Sequence, residues 1–169
     1  MSLTIRPATP ADIPLMQALE RDAAQAFRAV GYDFCADGPV RDDGEHQRGL
    51  RDGVTLLAEI DGAAAGFIML WPVDGHAHIT EVSVAEQFQR RGVGRALIAA
   101  GEDWARGAGF DAVSLTTFRD IAWNAPFYRA LGYEDFTPGA DETELAAIQA
   151  EEASSGYNGK PRITMKKAL

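Results

Sequence analysis

The stretch QFQRRGVGRAL, residues 87–97, places an arginine cluster and two glycines in the middle of an acidic chain. The chain has 169 residues and a formal net charge of −9. Arg90, Arg91 and Arg95 nevertheless lie within six consecutive positions. An apolar, strand-like run precedes the stretch and a helical pattern follows it. The sequence therefore predicts a positively charged turn between a strand and a helix.

This turn has the properties of an anion site. A helix N-terminus presents unpaired backbone N–H groups and about half a unit of positive charge from the helix dipole. Gly92 and Gly94 have no side chains, so an anion can approach the backbone closely. The neighbouring arginines add positive charge. We predict that the turn binds a diphosphate.

Length and composition limit the class of protein. The chain is long enough for one domain, predicted over residues 1–169, and its 46% hydrophobic and 24% charged content is ordinary for a globular protein. There is no apolar run of about 18 residues and no signal-peptide pattern, so we predict a cytoplasmic protein that does not bind membranes. The single Cys35 and the lack of metal-ligand spacing predict no disulfide and no metal. An isoelectric point near 4.7 argues against nucleic-acid binding.

Apolar periodicity and turn residues predict alternating strands and helices. The Asp61-Gly62 pair between two apolar runs is a strong hairpin signal. A meander of strands followed by a strand–helix–strand unit indicates an α/β fold with a mixed sheet and helices packed on it. The predicted strands cover residues 3–6, 54–60, 63–71, 76–84, 111–118, 134–136 and 162–167. The predicted helices cover residues 13–30, 43–52, 92–109, 123–132 and 141–153, with a loop over 31–43.

Three nucleotide-binding motifs compete for the glycine turn. A P-loop requires Gly-Lys-Ser/Thr after the glycines, and no lysine is present. A dinucleotide-binding fold requires a third glycine where Leu97 stands. The third candidate, Q/R-x-x-G-x-G/A, is satisfied in full by residues 89–94. In this motif the sequence resembles the GNAT superfamily of N-acetyltransferases, which use the turn to hold the pyrophosphate of acetyl-coenzyme A.

The resemblance extends over essentially the whole chain, in the family's order and spacing. It includes TIRPATPADIPLM (4–16), ITEVSVAEQFQRRGVGRALIAAGEDWARGAGF (79–110), AVSLTTF (112–118), NAPFYRALGYE (124–134) and the terminal strand with Met165-Lys166-Lys167. It implies a single-domain fold with a mixed central sheet of about six to seven strands flanked by helices. In that fold the strands at 77–84 and 111–118 splay apart and hold the cofactor.

Site residues follow from the same resemblance. Backbone groups of Val82 and Val84 are expected to meet the pantetheine arm, and Asn124 matches a family asparagine near it, although it could also cap its helix. Tyr128 matches the tyrosine beside the thioester sulfur, where a phenol can donate a proton to the departing thiolate. The full set of expected cofactor-binding residues is Val82, Ser83, Val84, Gln89, Arg90, Arg91, Gly92, Val93, Gly94, Arg95, Asn124 and Phe127.

The catalytic base is less sharply defined by the sequence. Glu81 lies on the cofactor strand, where many similar sequences carry a carboxylate, and it is the favoured base beside Tyr128 as the acid. His78 lies near the position that other family members use. In a regular strand these two side chains point to opposite faces, so only one is expected to reach the substrate. A water chain could carry the proton instead, which would leave Glu81 a solvated carboxylate.

The resemblance implies an acetyl-coenzyme A-dependent N-acetyltransferase that acts by direct attack of a primary amine in a ternary complex. The acceptor is an unidentified small molecule or peptide, and its specificity is expected to come from residues 31–43, 72–76 and 137–160. Two alternatives remain at this point: a non-catalytic acyl-coenzyme A sensor, and a transferase for a longer acyl donor. A homodimer is a family-level expectation.

Overall fold

The computed structural model describes residues 1–154 and 157–169, in which strands and helices alternate along the chain. The strands β1–β7 are Leu3–Pro7, Val54–Ile60, Ala63–Val73, His76–Val84, Ala112–Phe118, Glu134–Phe136 and Arg162–Ala168. The helices α1–α6 are Ile13–Ala23, Asp33–Asp37, Asp43–Asp52, Val93–Gly107, Ala125–Ala130 and Thr143–Ser154.

The strands form one mixed sheet in the order β1-β2-β3-β4-β5-β7-β6. The β4–β5 pair is parallel, whereas β1–β2, β2–β3, β5–β7 and β6–β7 are antiparallel. The predicted α/β fold with a mixed sheet of about six to seven strands is therefore confirmed.

Two compact units make up the described chain. The first unit contains residues Met1–Trp71 and Thr80–Trp104, and the second contains Pro72–Ile79 and Ala105–Leu169. Strand β4 contributes residues to both units. The assignment of residues 1–169 to a single domain stays a prediction.

The hairpin predicted at Asp61-Gly62 is confirmed. Ile60 pairs with Ala63 across the turn, and the two turn residues have φ angles of 49° and 82°. Positive φ at both central positions is the geometry that twists with the flanking strands, and aspartate and glycine adopt it at low cost. The turn fixes the register of β2 and β3, on which the helix after the arginine turn packs.

The continuous helix predicted over 13–30 is wrong in its second half. Helix α1 ends at Ala23, and a 3₁₀ segment follows over Ala24–Val30. Helix α1 buries Ile13, Met16 and Leu19, whereas the 3₁₀ segment contains no buried residue. Helical stability comes mostly from burial of an apolar face, so the regular helix stops where that burial stops. Gly31, with a φ of 77°, then ends the segment.

The predicted loop over 31–43 contains the short helix α2, which the sequence analysis missed. Tyr32 and Ala36 are buried, and the Tyr32 ring stacks on Phe34 with ring centroids 5.7 Å apart. The aromatic pair beside Cys35 was the local signal for a buried segment here. Polar and glycine residues around the pair obscured that signal. The acceptor stretch 137–160 includes residues 155 and 156, which lie outside the described residues.

Helix α4 packs on β3 in the first unit. A Cβ placed on Gly101 would lie 3.1 Å from side-chain atoms of Ile68 and of Leu70, so the helix approaches the strand closely at this glycine. Leu97 and Ile98 are buried on the same helix. Burial of these side chains fixes the N-terminus of α4, where the arginine turn lies.

Candidate active site

The arginine turn has a backbone geometry that suits an anion. Arg90 and Gly92 have positive φ angles of 62° and 83°, while Gln89 before them is extended. Left-handed residues in such a turn direct successive N–H groups into one concavity. The Ala96 N–H donates to Gly92 O at 3.0 Å, so the amides of residues 93–95 precede the first hydrogen bond of α4 and have no acceptor within the helix.

Gln89 ties this turn to the end of β4. Its side-chain Nε2 donates to the Val84 carbonyl oxygen at 3.0 Å, and its backbone N–H donates to Glu86 O at 3.2 Å. The glutamine of the motif therefore sets the position of the turn relative to the strand. The sequence analysis assigned Gln89 to cofactor binding without this contact.

The arginines of the turn are exposed and available to an anion. Arg90, Arg91 and Arg95 are exposed, and the guanidinium of Arg91 lies 5.8 Å from the centre of the Phe88 ring. Within residues 1–154 and 157–169, no carboxylate oxygen lies within 4.0 Å of these three guanidinium groups. A Cβ on Gly92 would meet no heavy atom within 4 Å, so the space above the turn is open.

Strand β4 pairs with β5 over only part of its length. The β4–β5 register runs from Ala77↔Val113 to Ile79↔Leu115 and ends there, although β4 continues to Val84. Ser83 is buried, while Val82 and Val84 are half-buried. The predicted cofactor residues of β4 thus all follow the last residue that pairs with β5.

Glu81 lies in a charged network that the sequence analysis missed. Its Oε2 accepts from Arg41 Nε at 3.3 Å, and its Oε1 accepts from Ser83 Oγ at 2.9 Å. Arg41 Nη1 donates to Glu45 Oε1 at 2.8 Å, and the Arg41 backbone N–H donates to both carboxylate oxygens of Glu20, at 3.1 and 3.2 Å. Three carboxylates therefore surround Arg41.

Glu20 shows the electrostatic character of this network. Burial and, after it, the nearby charge of Glu81 raise the pKa of Glu20 to about 7, while the contacts from Arg41 oppose this shift. Glu20, Arg41 and Glu45 are far apart in sequence from Glu81 and match no motif. The only signal for Arg41 and Glu45 was their position in or beside the stretch 31–43, which was predicted to contribute to acceptor specificity, and Glu20 had none.

His78, the alternative base, is buried in the second unit. Its side chain is 4% exposed, and its Nδ1 lies 2.9 Å from Ser114 Oγ on the paired strand β5. A buried imidazole bonded to a strand hydroxyl is poorly placed to collect a proton from a substrate in solvent. Glu81, by contrast, is half-buried.

The second unit presents the other predicted residues on and before helix α5. The Asn124 side chain does not cap the helix; its Oδ1 accepts from Thr117 Oγ1 at 2.6 Å. Tyr128 is half-buried, and its ring contacts the rings of Phe127 and Tyr133 edge to face, with centroid separations of 5.4 and 5.7 Å. These contacts hold the Asn124 amide and the Tyr128 ring in single orientations.

A mixed sheet whose strand leads into a basic glycine turn and a helix N-terminus is typical of α/β transferases that use a phosphate-bearing co-substrate. The family model described as "Acetyltransferase (GNAT) family" matches residues 16–133. The chain belongs to this family of acetyltransferases, and the resemblance stated from its sequence is confirmed.

A relative of known name is also an N-acetyltransferase. The aminoglycoside N(6')-acetyltransferase type 1 of Stenotrophomonas maltophilia is 32% identical over 142 residues, which cover 78% of this chain and 86% of the relative. The chain is an acyltransferase of the N-acetyltransferase class.

Solved structures share the fold at low sequence identity. The PaiA N-acetyltransferase from Thermoplasma acidophilum, solved in complex with coenzyme A, has a TM-score of 0.75 at 15% identity, with 100% of both chains covered. The ribosomal-protein-S18-alanine N-acetyltransferase from Escherichia coli has a TM-score of 0.72 at 18% identity, with 99% of this chain and 94% of that chain covered.

Membrane-spanning helices and metal clusters are both missing from the described part of the chain. None of its helices combines the length and the apolar composition that a membrane crossing requires. No group of three or more histidine, cysteine, aspartate or glutamate side chains is arranged there to hold a metal ion.

Proposed function

We propose that the protein transfers the acetyl group of acetyl-coenzyme A to a primary amine, by direct attack within a ternary complex. The observation that supports this proposal best is the turn at Arg90–Gly92. Its left-handed residues, the first amides of α4 and the exposed arginines form an open anion site directly after β4. A diphosphate bound there would receive several backbone hydrogen bonds at a helix N-terminus.

The rest of the cofactor would extend from this turn. We assign the diphosphate to the amides of residues 90–95 and the pantetheine arm to backbone groups of Val82 and Val84. Asn124 and Phe127 are assigned to the same cofactor by the family motif. The Asn124 Oδ1 already accepts from Thr117, which leaves its NH₂ group to donate to a pantetheine carbonyl.

Acetyl transfer to an alkylammonium takes two protons off the nitrogen and puts one onto the departing thiolate. An alkylammonium has a pKa of about 10.4, so the acceptor must lose a proton before its nitrogen can attack. Glu81 accepts this proton; the nitrogen then bonds to the thioester carbon, and a backbone N–H near Val84 stabilises the developing oxyanion. The C–S bond breaks and Tyr128 donates its phenolic proton to the thiolate of coenzyme A. The nitrogen, now bonded to the acetyl carbon, loses its second proton, which restores the phenol of Tyr128 and leaves a neutral amide.

The acceptor is proposed to be a cationic amine. The relative from Stenotrophomonas maltophilia is an aminoglycoside N-acetyltransferase by name. In this chain, Glu20, Glu45 and Glu81 outnumber the one arginine that they surround. An excess of carboxylates attracts a positively charged acceptor. The cytoplasmic location and the homodimer stay predictions.

The proposal is tested by an acetylation assay that follows thiol release. The amine panel contains aminoglycosides, polyamines, amino acids and peptide N-termini, each with acetyl-, propionyl- and succinyl-coenzyme A. We expect turnover of at least one cationic amine with the acetyl donor. Faster turnover with propionyl- or succinyl-coenzyme A would show that the protein transfers a longer acyl group than acetyl.

The same assay tests Tyr128. The Tyr128→Phe variant keeps the ring contacts and loses the proton donor, so kcat is expected to fall roughly 10- to 100-fold with little change in coenzyme A affinity. Unchanged kcat in this variant would remove Tyr128 from the mechanism.

A further inference from the structure

We propose that Arg41 is a positioning residue for acetyl transfer, which holds the Glu81 carboxylate in its working orientation and affects the reaction only through it. The inference rests on the proposed function, in which Glu81 is the base. It adds a residue from the segment before α3 to the catalytic machinery, although that residue contacts neither the acetyl group nor coenzyme A in the mechanism above.

One guanidinium holds both the side chain of Glu81 and the backbone next to it. Arg41 Nη2 donates to the Thr80 carbonyl oxygen at 2.7 Å, and Arg41 Nε donates to Glu81 Oε2 at 3.3 Å. Ser83 Oγ donates to the other carboxylate oxygen at 2.9 Å. Each oxygen of Glu81 therefore has a donor in a fixed direction, which selects one rotation of the carboxylate plane.

Arg41 is itself held on two further sides. Its backbone N–H donates to the carboxylate of Glu20 on α1, and its Nη1 donates to Glu45 on α3. Glu45 is fixed in turn by the capping box of α3, in which it exchanges hydrogen bonds with Asp42. The Arg41 side chain is only 25% exposed. A planar guanidinium can serve Thr80, Glu81 and Glu45 together, whereas a lysine ammonium cannot span all three with the same geometry.

The physical effect of Arg41 is on the direction of the base. A general base works only within hydrogen-bond reach of the proton that it takes, and small misplacements cost up to about 100-fold in rate. Without Arg41, the carboxylate of Glu81 would keep only the Ser83 contact and could rotate.

The test is a double-mutant cycle on kcat/KM for the best amine of the panel. The variants are Arg41→Gln, Glu81→Gln and the double variant, with Arg48→Ala as the matched control. Arg48 lies on α3, with its guanidinium 4.5 Å from the centre of the Trp71 ring and its Nε 3.7 Å from Asp52 Oδ2. We expect Arg41→Gln to lower kcat/KM about 10- to 100-fold, mainly through kcat, with the KM for acetyl-coenzyme A unchanged. Arg48→Ala is expected to match the wild type.

The decisive comparison is the effect of Arg41→Gln in the Glu81→Gln background. We expect less than about a threefold further loss there, because the residue through which Arg41 acts is already disabled. We also expect Arg41→Lys to restore part of the loss in kcat, because an ammonium can still contact the Glu81 carboxylate.

Additive losses in the double variant would overturn the inference, as would full activity of Arg41→Gln. Failure of both Arg41→Gln and Arg41→Lys to fold, measured by circular dichroism, would assign Arg41 a structural role and overturn it as well. Full activity of Glu81→Gln would instead remove Glu81 as the base, which is a failure of the proposed function and is visible without any Arg41 variant.

Discussion

At the scale of single residues, Gly92 has a backbone conformation that other residues avoid. Its φ of 83° lies in the left-handed region, and the space where a Cβ would project is open. A side chain there would cost about 1–2 kcal/mol in backbone strain and would occupy the approach of an anion. A substitution at this position therefore changes both stability and binding, and an equally strained glycine elsewhere is needed to separate the two effects.

The Gly92→Val variant tests this separation. We expect coenzyme A binding, measured by isothermal titration calorimetry, to weaken at least about tenfold, since bulk above the turn blocks the anion. Gly62→Val is the matched control, because Gly62 has a φ of 82° and equally open surroundings but lies in the β2–β3 turn. The control is expected to lose stability and keep its affinity. Equal affinity in both variants would contradict the anion site.

The sequence predicts single site residues only where they belong to a local motif. The turn around Gly92 and the pair Asn124 and Tyr128 lie in short patterns whose spacing is visible in the chain. Arg41 and Glu20 could not be found this way, because Arg41 meets its partners on β4 across 39 and 40 positions of sequence. Long-range polar contacts leave no periodicity in a sequence.

At the scale of elements, β3 and β4 approach each other closely at Gly66. Ala85 N–H donates to Ala65 O at 2.9 Å, and a Cβ on Gly66 would lie 2.5 Å from Ser83 O and 3.1 Å from Val84 Cα. Both neighbours are backbone atoms, which cannot move aside as a flexible side chain can. Gly66 therefore sets the path of β4 where it enters the candidate site.

The Gly66→Ala variant is expected to displace the end of β4. We expect a loss of about 1–3 kcal/mol in the free energy of unfolding, measured by urea titration, together with weaker coenzyme A binding. Gly107→Ala is the control, since a Cβ at the end of α4 would meet no heavy atom within 4 Å. Wild-type stability and affinity in Gly66→Ala would show that β4 can shift without consequence.

Element boundaries were predicted best where a turn residue or a buried face fixed them. The strands β2 and β4 have the predicted bounds, and the hairpin at Asp61 has the predicted turn. The apolar pattern over 13–30 predicted one continuous helix, and this prediction was wrong because the later apolar positions are not buried. Periodicity reports which residues could share a face, and packing decides whether that face forms a regular helix.

At the scale of the whole molecule, two groups make stability depend on pH in opposite directions. His46 is fully buried and neither ring nitrogen has a hydrogen-bond partner in the described chain, so burial lowers its pKa from the usual value. Below about pH 6.5 His46 binds a proton in the unfolded chain but stays neutral in the folded protein. The free energy of unfolding therefore falls as the pH falls. Glu20 has the opposite shift, because burial and the charge of Glu81 raise its pKa to about 7.

The Glu20→Gln variant isolates the second effect. Between about pH 4.5 and 7 the folded protein binds the Glu20 proton more tightly than the unfolded chain does, so the contribution of Glu20 to stability is lost as the pH rises through 7. Glutamine keeps an acceptor for the Arg41 N–H and carries no charge. We expect it to exceed the wild type in the free energy of unfolding by about 1 kcal/mol at pH 8, with the gain vanishing near pH 5. Urea titrations at both pH values measure this, with the exposed Glu151→Gln as control, and a gain independent of pH would rule out the titration of Glu20 as its cause.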